Sequence, residues 1–224
     1  LCVTNPEMQK EFIENYKKII DDNPSATHFM IGQEDTQTFC NCQRCQAEIK
    51  KYNGSVSMLM INFTNNVVKA LNGHISEFSP HRKVDFCMFA YQPTIIPPVK
   101  KVGGKFVPLF DLQLEPNIAV MFAPLGANTA ESLLGTANSG IYSNLQKWQL
   151  ITDKFGFWLY TADFSDYLVP YDWWTGLKEN IELMSNYNTY MYFNQDAHGD
   201  QYNAPCFQTL KLYLNSKLSW NSKL

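Results

Sequence analysis

Residues 27–45, THFMIGQEDTQTFCNCQRC, decide how this chain is read. An apolar run, His28-Phe29-Met30-Ile31, stops at Gly32. It then presents Gln33, Glu34 and Asp35 in succession and closes on Cys40, Cys42 and Cys45. A short strand that ends at a glycine and delivers adjacent carboxylates builds one corner of a site in parallel α/β proteins. The same stretch holds the densest group of thiols in the chain.

Working outward, residues 6–22 carry Met8, Phe12, Ile13, Tyr16, Ile19 and Ile20 at helical spacing. Asn5 stands ready as N-cap, Pro6 at the first helical position, and Asn23-Pro24 as a stop. A second helical pattern covers 56–78. Strands are expected at 27–31, 83–91, 118–123, 154–161 and 189–195, and helices at 144–151, 172–184 and 205–218. The proline-rich connection 92–116 reads as a β-ribbon around Gly103-Gly104. Long loops follow the strands and short ones precede them, the mark of a parallel α/β layout with its site at the strand carboxyl ends. Five strands are too few for a closed eight-stranded barrel. Either the first strands lie outside this chain or the sheet is open.

With 224 residues, 45% hydrophobic and 17% charged, the chain can bury a large core. Its 18 basic against 21 acidic side chains leave a net charge of -3 and no basic stripe, which argues against nucleic acid as a partner. No apolar stretch approaches the ~18 residues of a membrane span, and no signal peptide is visible. The start, Leu1-Cys2-Val3, lacks Met and suggests an excised piece of a longer protein. Neither GxGxxG nor GxxxxGK[ST] follows a strand, so no nucleotide cofactor is expected. A truncated parallel sheet would leave a long edge, which implies covering by other domains of a parent chain or self-association.

GQED followed by C-x-C-x2-C resembles the domain-of-unknown-function family 4838, and three further segments carry the same resemblance. They are LQKWQLITDKFGFWLYTADFSDYLVPY (145–171), LKENIELM (177–184) and LKLYLNSKLSWN (210–221). The resemblance spans nearly the whole chain. It implies a bacterial protein and a TIM-type (β/α)8 barrel similar to α-glucuronidases and β-hexosaminidases. Residues 1–224 would form a single barrel domain, the C-terminal two-thirds or so, incomplete because the first strands are missing. Such domains are often carried in large secreted or surface proteins encoded near polysaccharide-degrading enzymes, so carbohydrate is the implied partner. β-Hexosaminidases place Asp-Glu at a comparable strand end, whereas here the order is Glu34-Asp35.

Glycosidases need two carboxyl groups roughly 5–5.5 Å apart for retention or about 6.5–9.5 Å for inversion. Glu34 or Asp35 is the candidate acid, and Asp163 and Asp196, after the fourth and fifth strands, are the candidate partners. Loop carboxylates that merely cap a helix read equally well. Gln33, Tyr91, Gln92, Trp158, Tyr160, Asn194, Gln195 and His198 lie at or near strand ends, and Trp173 and Trp174 at a helix start. Amides, carboxylates and aromatics converging there are what sugar hydroxyls and ring faces require. Cys40, Cys42 and Cys45 are candidate ligands of a structural zinc, with His28, His74 or Cys87 as the fourth. A disulfide, or reduced thiols packing a tight loop, are the plainer readings. Cys2, Cys87 and Cys206 read as small buried hydrophobes. Three functions remain open: a glycoside hydrolase, a glycan-binding barrel without catalysis, and a scaffold stapled by its cysteine loop.

Overall fold

The structure is a computed structural model and describes residues 1–196 and 206–223. It is a mixed α/β protein. Its helices are α1 (Pro6–Asp22), α2 (Gln43–Lys51), α3 (Val56–Phe78), α4 (Ser139–Trp148), α5 (Leu177–Ser185) and α6 (Gln208–Trp220). Its strands are β1 (His28–Ile31), β2 (Asp85–Tyr91), β3 (Val99–Val102), β4 (Lys105–Pro108), β5 (Ile118–Ala123), β6 (Lys154–Tyr160) and β7 (Asn188–Gln195). Five strands form a sheet in the order β1-β2-β5-β6-β7, and β3 with β4 forms a separate two-stranded ribbon. The β1–β2 and β6–β7 pairs are parallel. The chain divides into two compact units, residues 1–121 with 147–153 and residues 122–146 with 154–224. Among the described residues no helix is long and apolar enough to cross a membrane.

In the first unit, α1 begins as its sequence dictates. Asn5 accepts from the amide of Glu7 at 3.0 Å, and Pro6 occupies the first turn, where no amide donor is needed. Its apolar stripe meets α3 and β1. Phe12 packs edge-on against Phe63 at 5.3 Å, and Tyr16 packs edge-on against Phe29 at 6.3 Å. Helix α3, capped by Ser55, buries Met58, Leu59, Met60, Ile61, Phe63, Val67, Val68, Leu71 and Ile75. Each such side chain contributes about 1.5–3 kcal/mol by leaving water, so α3 is the main apolar column of this unit. Two asparagines on it fix the approach to β5. Asn65 binds both Gln113 and Glu115, and Asn72 exchanges amide bonds with Asn117, which also reaches the carbonyl of Val84. The expected ribbon is present. Val102 pairs Lys105 across Gly103 and Gly104, whose φ of 56° and 85° suit a two-residue turn that most other residues enter only with strain.

In the second unit Phe155 and Phe157 on β6 stack at 6.0 Å, and both meet Tyr187 edge-on. The register of β6 on β7 slips between Phe155 and Gly156. Asn138 is buried and ties the loop after β5 together. It accepts from the amide of Asn128 at 2.8 Å and donates to the carbonyls of Asn128 and Ser132.

Two expected helices shift, and a third helix is new. The helix expected at 144–151 runs from Ser139 to Trp148. The helix expected from Asp172 starts at Leu177, because the Asp172 carboxylate accepts from the Thr175 amide and hydroxyl and so closes a separate turn. Helix α2 was not anticipated. It begins within the cysteine run, with Cys42 at its N-cap position and Cys45 in its first turn.

Candidate functional site

Two constellations grow from the loop that leaves β1. The first gathers four residues expected at strand ends. Gln33 donates to the carbonyl of Tyr91 at 2.9 Å and accepts from the Thr94 hydroxyl at 2.8 Å, which fixes the start of the loop against the end of β2. One oxygen of Asp35 then accepts from the Tyr91 phenol and from the Gln92 amide, each at 2.8 Å. The Gln92 amide also donates to the Tyr91 oxygen at 2.7 Å. Gln92 adopts a φ of 50°, a left-handed conformation uncommon outside glycine. A capping box in which Thr94 and Tyr91 bind each other's backbone holds it there. Its side-chain oxygen Oε1 is buried and finds no partner among the described residues. Asp35 itself is exposed. The corner therefore offers solvent a carboxylate beside a half-buried phenol, while the unmatched amide oxygen stays buried. Glu34 points elsewhere and meets the amino group of Leu1 at 3.0 Å, both groups largely exposed, a pair of little energetic weight.

The second constellation is made of thiols. The sulfurs of Cys2, Cys40, Cys42 and Cys45 all lie within 4.8 Å of one another. Cys2 is 3.6 Å from Cys42 and 3.7 Å from Cys45. The fourth member is thus Cys2, in place of His28, His74 or Cys87. His74 binds Asp21 at 2.9 Å, His28 meets the Thr27 hydroxyl at 2.8 Å, and Cys87 is buried within β2. Cys2 reads as an ordinary hydrophobe in sequence because it stands forty residues from Cys42. It reaches the cluster because Val3 is buried and α1 starts immediately afterwards. The Thr4 hydroxyl lies 3.2 Å from the Cys45 sulfur and 3.5 Å from that of Cys2. The thiols differ in acidity. The Cys45 backbone amide beside Cys42 brings that thiol down to about 6, whereas burial pushes Cys45 up to about 12. The Thr4 hydroxyl lowers Cys2.

Between these constellations runs an open cleft of about 480 Å³. The loop supplies Gln33, Glu34 and Phe39 to one wall, and Val3, Phe12 and Phe63 stand across it.

In the second unit the expected residues are largely engaged with each other. The Trp158 indole donates to the Gln195 side chain at 2.9 Å and packs on Phe193 at 4.3 Å. Tyr160 meets Phe164 edge-on at 5.9 Å. Asn194 donates to Asn215 at 2.6 Å. Asp163 accepts from the amide of Ser165 and so closes its own turn. Asp196 is paired at 2.9 Å with Lys211, a buried lysine that the sequence did not single out. Trp173 is buried and Trp174 lies against Phe207. The Trp173 Nε1 and Asn194 Oδ1 atoms lack partners among the described residues, and Trp173, Asn194 and Tyr160 line a void of about 30 Å³. That is room for about one water and too little for a sugar ring. His198 lies outside the described residues.

No match was found among curated proteins. The family model described as "Domain of unknown function (DUF4838)" matches residues 1–224, the whole length over which the cysteine run, the β6 segment and the last two helices were read, and the chain belongs to that family.

Proposed function

We propose that this chain is part of a carbohydrate-active (β/α)8 barrel of the α-glucuronidase and β-hexosaminidase type, carried in a secreted or surface parent of bacterial origin, and that it binds glycan at the corner formed by Gln33, Asp35, Tyr91 and Gln92. The observation that carries the reading is the exposed Asp35 carboxylate. One of its oxygens is fixed by two donors and the other meets no donor among the described residues, an arrangement that suits a ligand that donates hydrogen bonds. Sugar hydroxyls do so, and the ring faces of Tyr91 and nearby Phe89 suit the apolar C–H face of a sugar. The strained Gln92 backbone fits a binding role, since strain persists where surrounding structure holds a residue for function.

Binding is favoured over hydrolysis within this chain, because Asp163 closes its own turn and Asp196 is neutralised by Lys211. The reading places a structural metal, zinc, at the thiol cluster. It also makes β1 and β7, the outer strands of the sheet, the places where missing strands of the parent or a second copy would add. The test is calorimetry or affinity electrophoresis of the chain against soluble polysaccharides, with reducing-sugar release followed in parallel. Saturable binding lost in Asp35→Ala without sugar release supports a binding barrel. Sugar release abolished by the same substitution would make the chain a hydrolase. No binding to any polysaccharide removes the carbohydrate reading.

A further inference from the structure

We propose that Cys2, Cys40, Cys42 and Cys45 hold a single Zn²⁺ as a closed four-thiolate centre, and that loading it clasps the cleft whose wall carries Gln33 and Glu34. The inference deepens the metal reading above, by naming the ligand set and what the metal controls.

The first argument is geometric. A tetrahedral centre with Zn–S bonds of about 2.3 Å has S···S edges of about 3.8 Å. Cys2 to Cys42 and Cys2 to Cys45 measure 3.6 and 3.7 Å, and no pair in the set exceeds 4.8 Å. All four cysteines are free thiols. An iron–sulfur cluster would spread its thiolates over several irons and hold them farther apart. Four sulfurs close a tetrahedral shell and leave no open position, so the ion is structural rather than catalytic. Groups that orient and stabilise the thiolates are in place. The Thr4 hydroxyl touches two of the sulfurs, and Cys42 sits at the N-terminus of α2, where amide dipoles favour negative charge. Each thiol gives its proton to solvent as its sulfur binds the ion, so uptake releases up to four protons per zinc.

The second argument concerns the cleft. Residues 32–42 form no helix or strand. Gln33 and Asp35 anchor the first part of the loop to the end of β2, whereas the Thr36 and Thr38 bonds beyond them are local. Cys2 and Cys40 both line the cleft, Cys40 from the loop and Cys2 from the segment that leads into α1. An ion joining them closes one end and ties Cys40, on the loop itself, to Cys2 and to the start of α2.

The experiment uses the whole chain, reduced and purified with its metal. Metal content is measured, the metal is replaced by Co²⁺, and amide exchange over residues 32–41 is followed with and without a chelator. One zinc per chain is expected. The cobalt form should show the intense visible and sulfur-to-metal charge-transfer absorption of a tetrahedral four-thiolate site. Cys2→Ser should lower the charge-transfer intensity and weaken zinc by more than the roughly 10–100-fold that loss of an outer-shell partner costs, whereas Cys206→Ser leaves both unchanged. Chelation should speed exchange across 32–41 about tenfold. Because charge-transfer intensity per cobalt counts the thiolates in the unsubstituted chain, the ligand set is readable even if Cys2→Ser fails to fold. A chain that binds no zinc with its thiols reduced, one whose cysteines are found paired in disulfides, iron in place of zinc, or a cobalt spectrum indifferent to Cys2 overturns the site. Zinc bound with exchange over 32–41 unchanged by chelation overturns the clasp. Asp35→Asn separates this inference from the glycan reading: lost glycan binding with zinc retained concerns only the sugar, and zinc retained with no glycan bound by any form defeats the carbohydrate reading alone.

Discussion

The Lys211 ammonium, 4% exposed, lies 2.9 Å from the carboxylate of Asp196 and 5.9 Å from the centre of the Trp173 ring. A buried cation keeps its charge only while a partner answers it. Asp196→Asn is therefore expected to destabilise the protein by about 3 kcal/mol, as removing one member of a buried pair does. Replacing both, as Lys211→Met with Asp196→Asn, should recover much of that loss. Urea denaturation of Asp196→Asn, Lys211→Met and the double variant checks this, and losses that simply add would show that the pair is not coupled.

Arg82 closes the end of α1. Its guanidinium donates to the carbonyls of Ile20, Asn23 and Ala26 at 2.9, 2.6 and 2.8 Å. Helix ends leave carbonyls without partners, and charge-assisted bonds to them are the stronger kind. Arg82→Ala should cost about 2–3 kcal/mol and Arg82→Lys about half as much, since an ammonium cannot span three carbonyls as a planar fork does. The midpoints of denaturant unfolding decide it.

Gln92 separates stability from binding. Its left-handed backbone strains any residue with a Cβ and spares glycine. Gln92→Gly and Gln92→Ala both remove the amide, but the glycine variant should be the more stable by about 1 kcal/mol. Both should weaken glycan binding alike, because each loses the donor to Asp35. Thermal unfolding and calorimetry, run side by side, test the two halves.

Alkaline pH should loosen the contact of α1 with β1. Tyr16 donates its phenol hydrogen bond to the Met30 carbonyl, and burial raises its pKa to about 12. The folded value lies above the ordinary 10, so the stabilisation is complete below pH 10 and is lost as pH climbs from 10 to 12. Burial raises Tyr187 to about 12 as well. Tyr16→Phe should flatten part of the fall in stability over that window, read as unfolding midpoints against pH. An unchanged slope would show that Tyr16 does not titrate with unfolding.

Much of the fold was legible because its signals are local. The apolar spacing of α1 and the Asn5-Pro6 start set one end of a helix, and Gly103-Gly104 set a turn. Helix α3 and strand β5 begin and end where their patterns predict. The misplaced start of α5 has a local cause too. Asp172 is a good cap, and the chain uses it for a turn one step earlier. The convergence of Gln33, Asp35, Tyr91 and Gln92 could be anticipated once β1 and β2 were read as neighbouring strands, because parallel pairing brings their carboxyl ends together.

What the sequence determined by itself was most of the elements, α2 excepted, with the residues at strand ends and the three clustered thiols, because periodicity, caps and turns act within a few residues. What only the tertiary structure decided was partnership across distance: Cys2 with the cysteine run, Lys211 with Asp196, the unmatched oxygen of Gln92. Those depend on which segments the burial of α1 and α3 drives together, and a contact forty residues apart leaves no trace in local spacing.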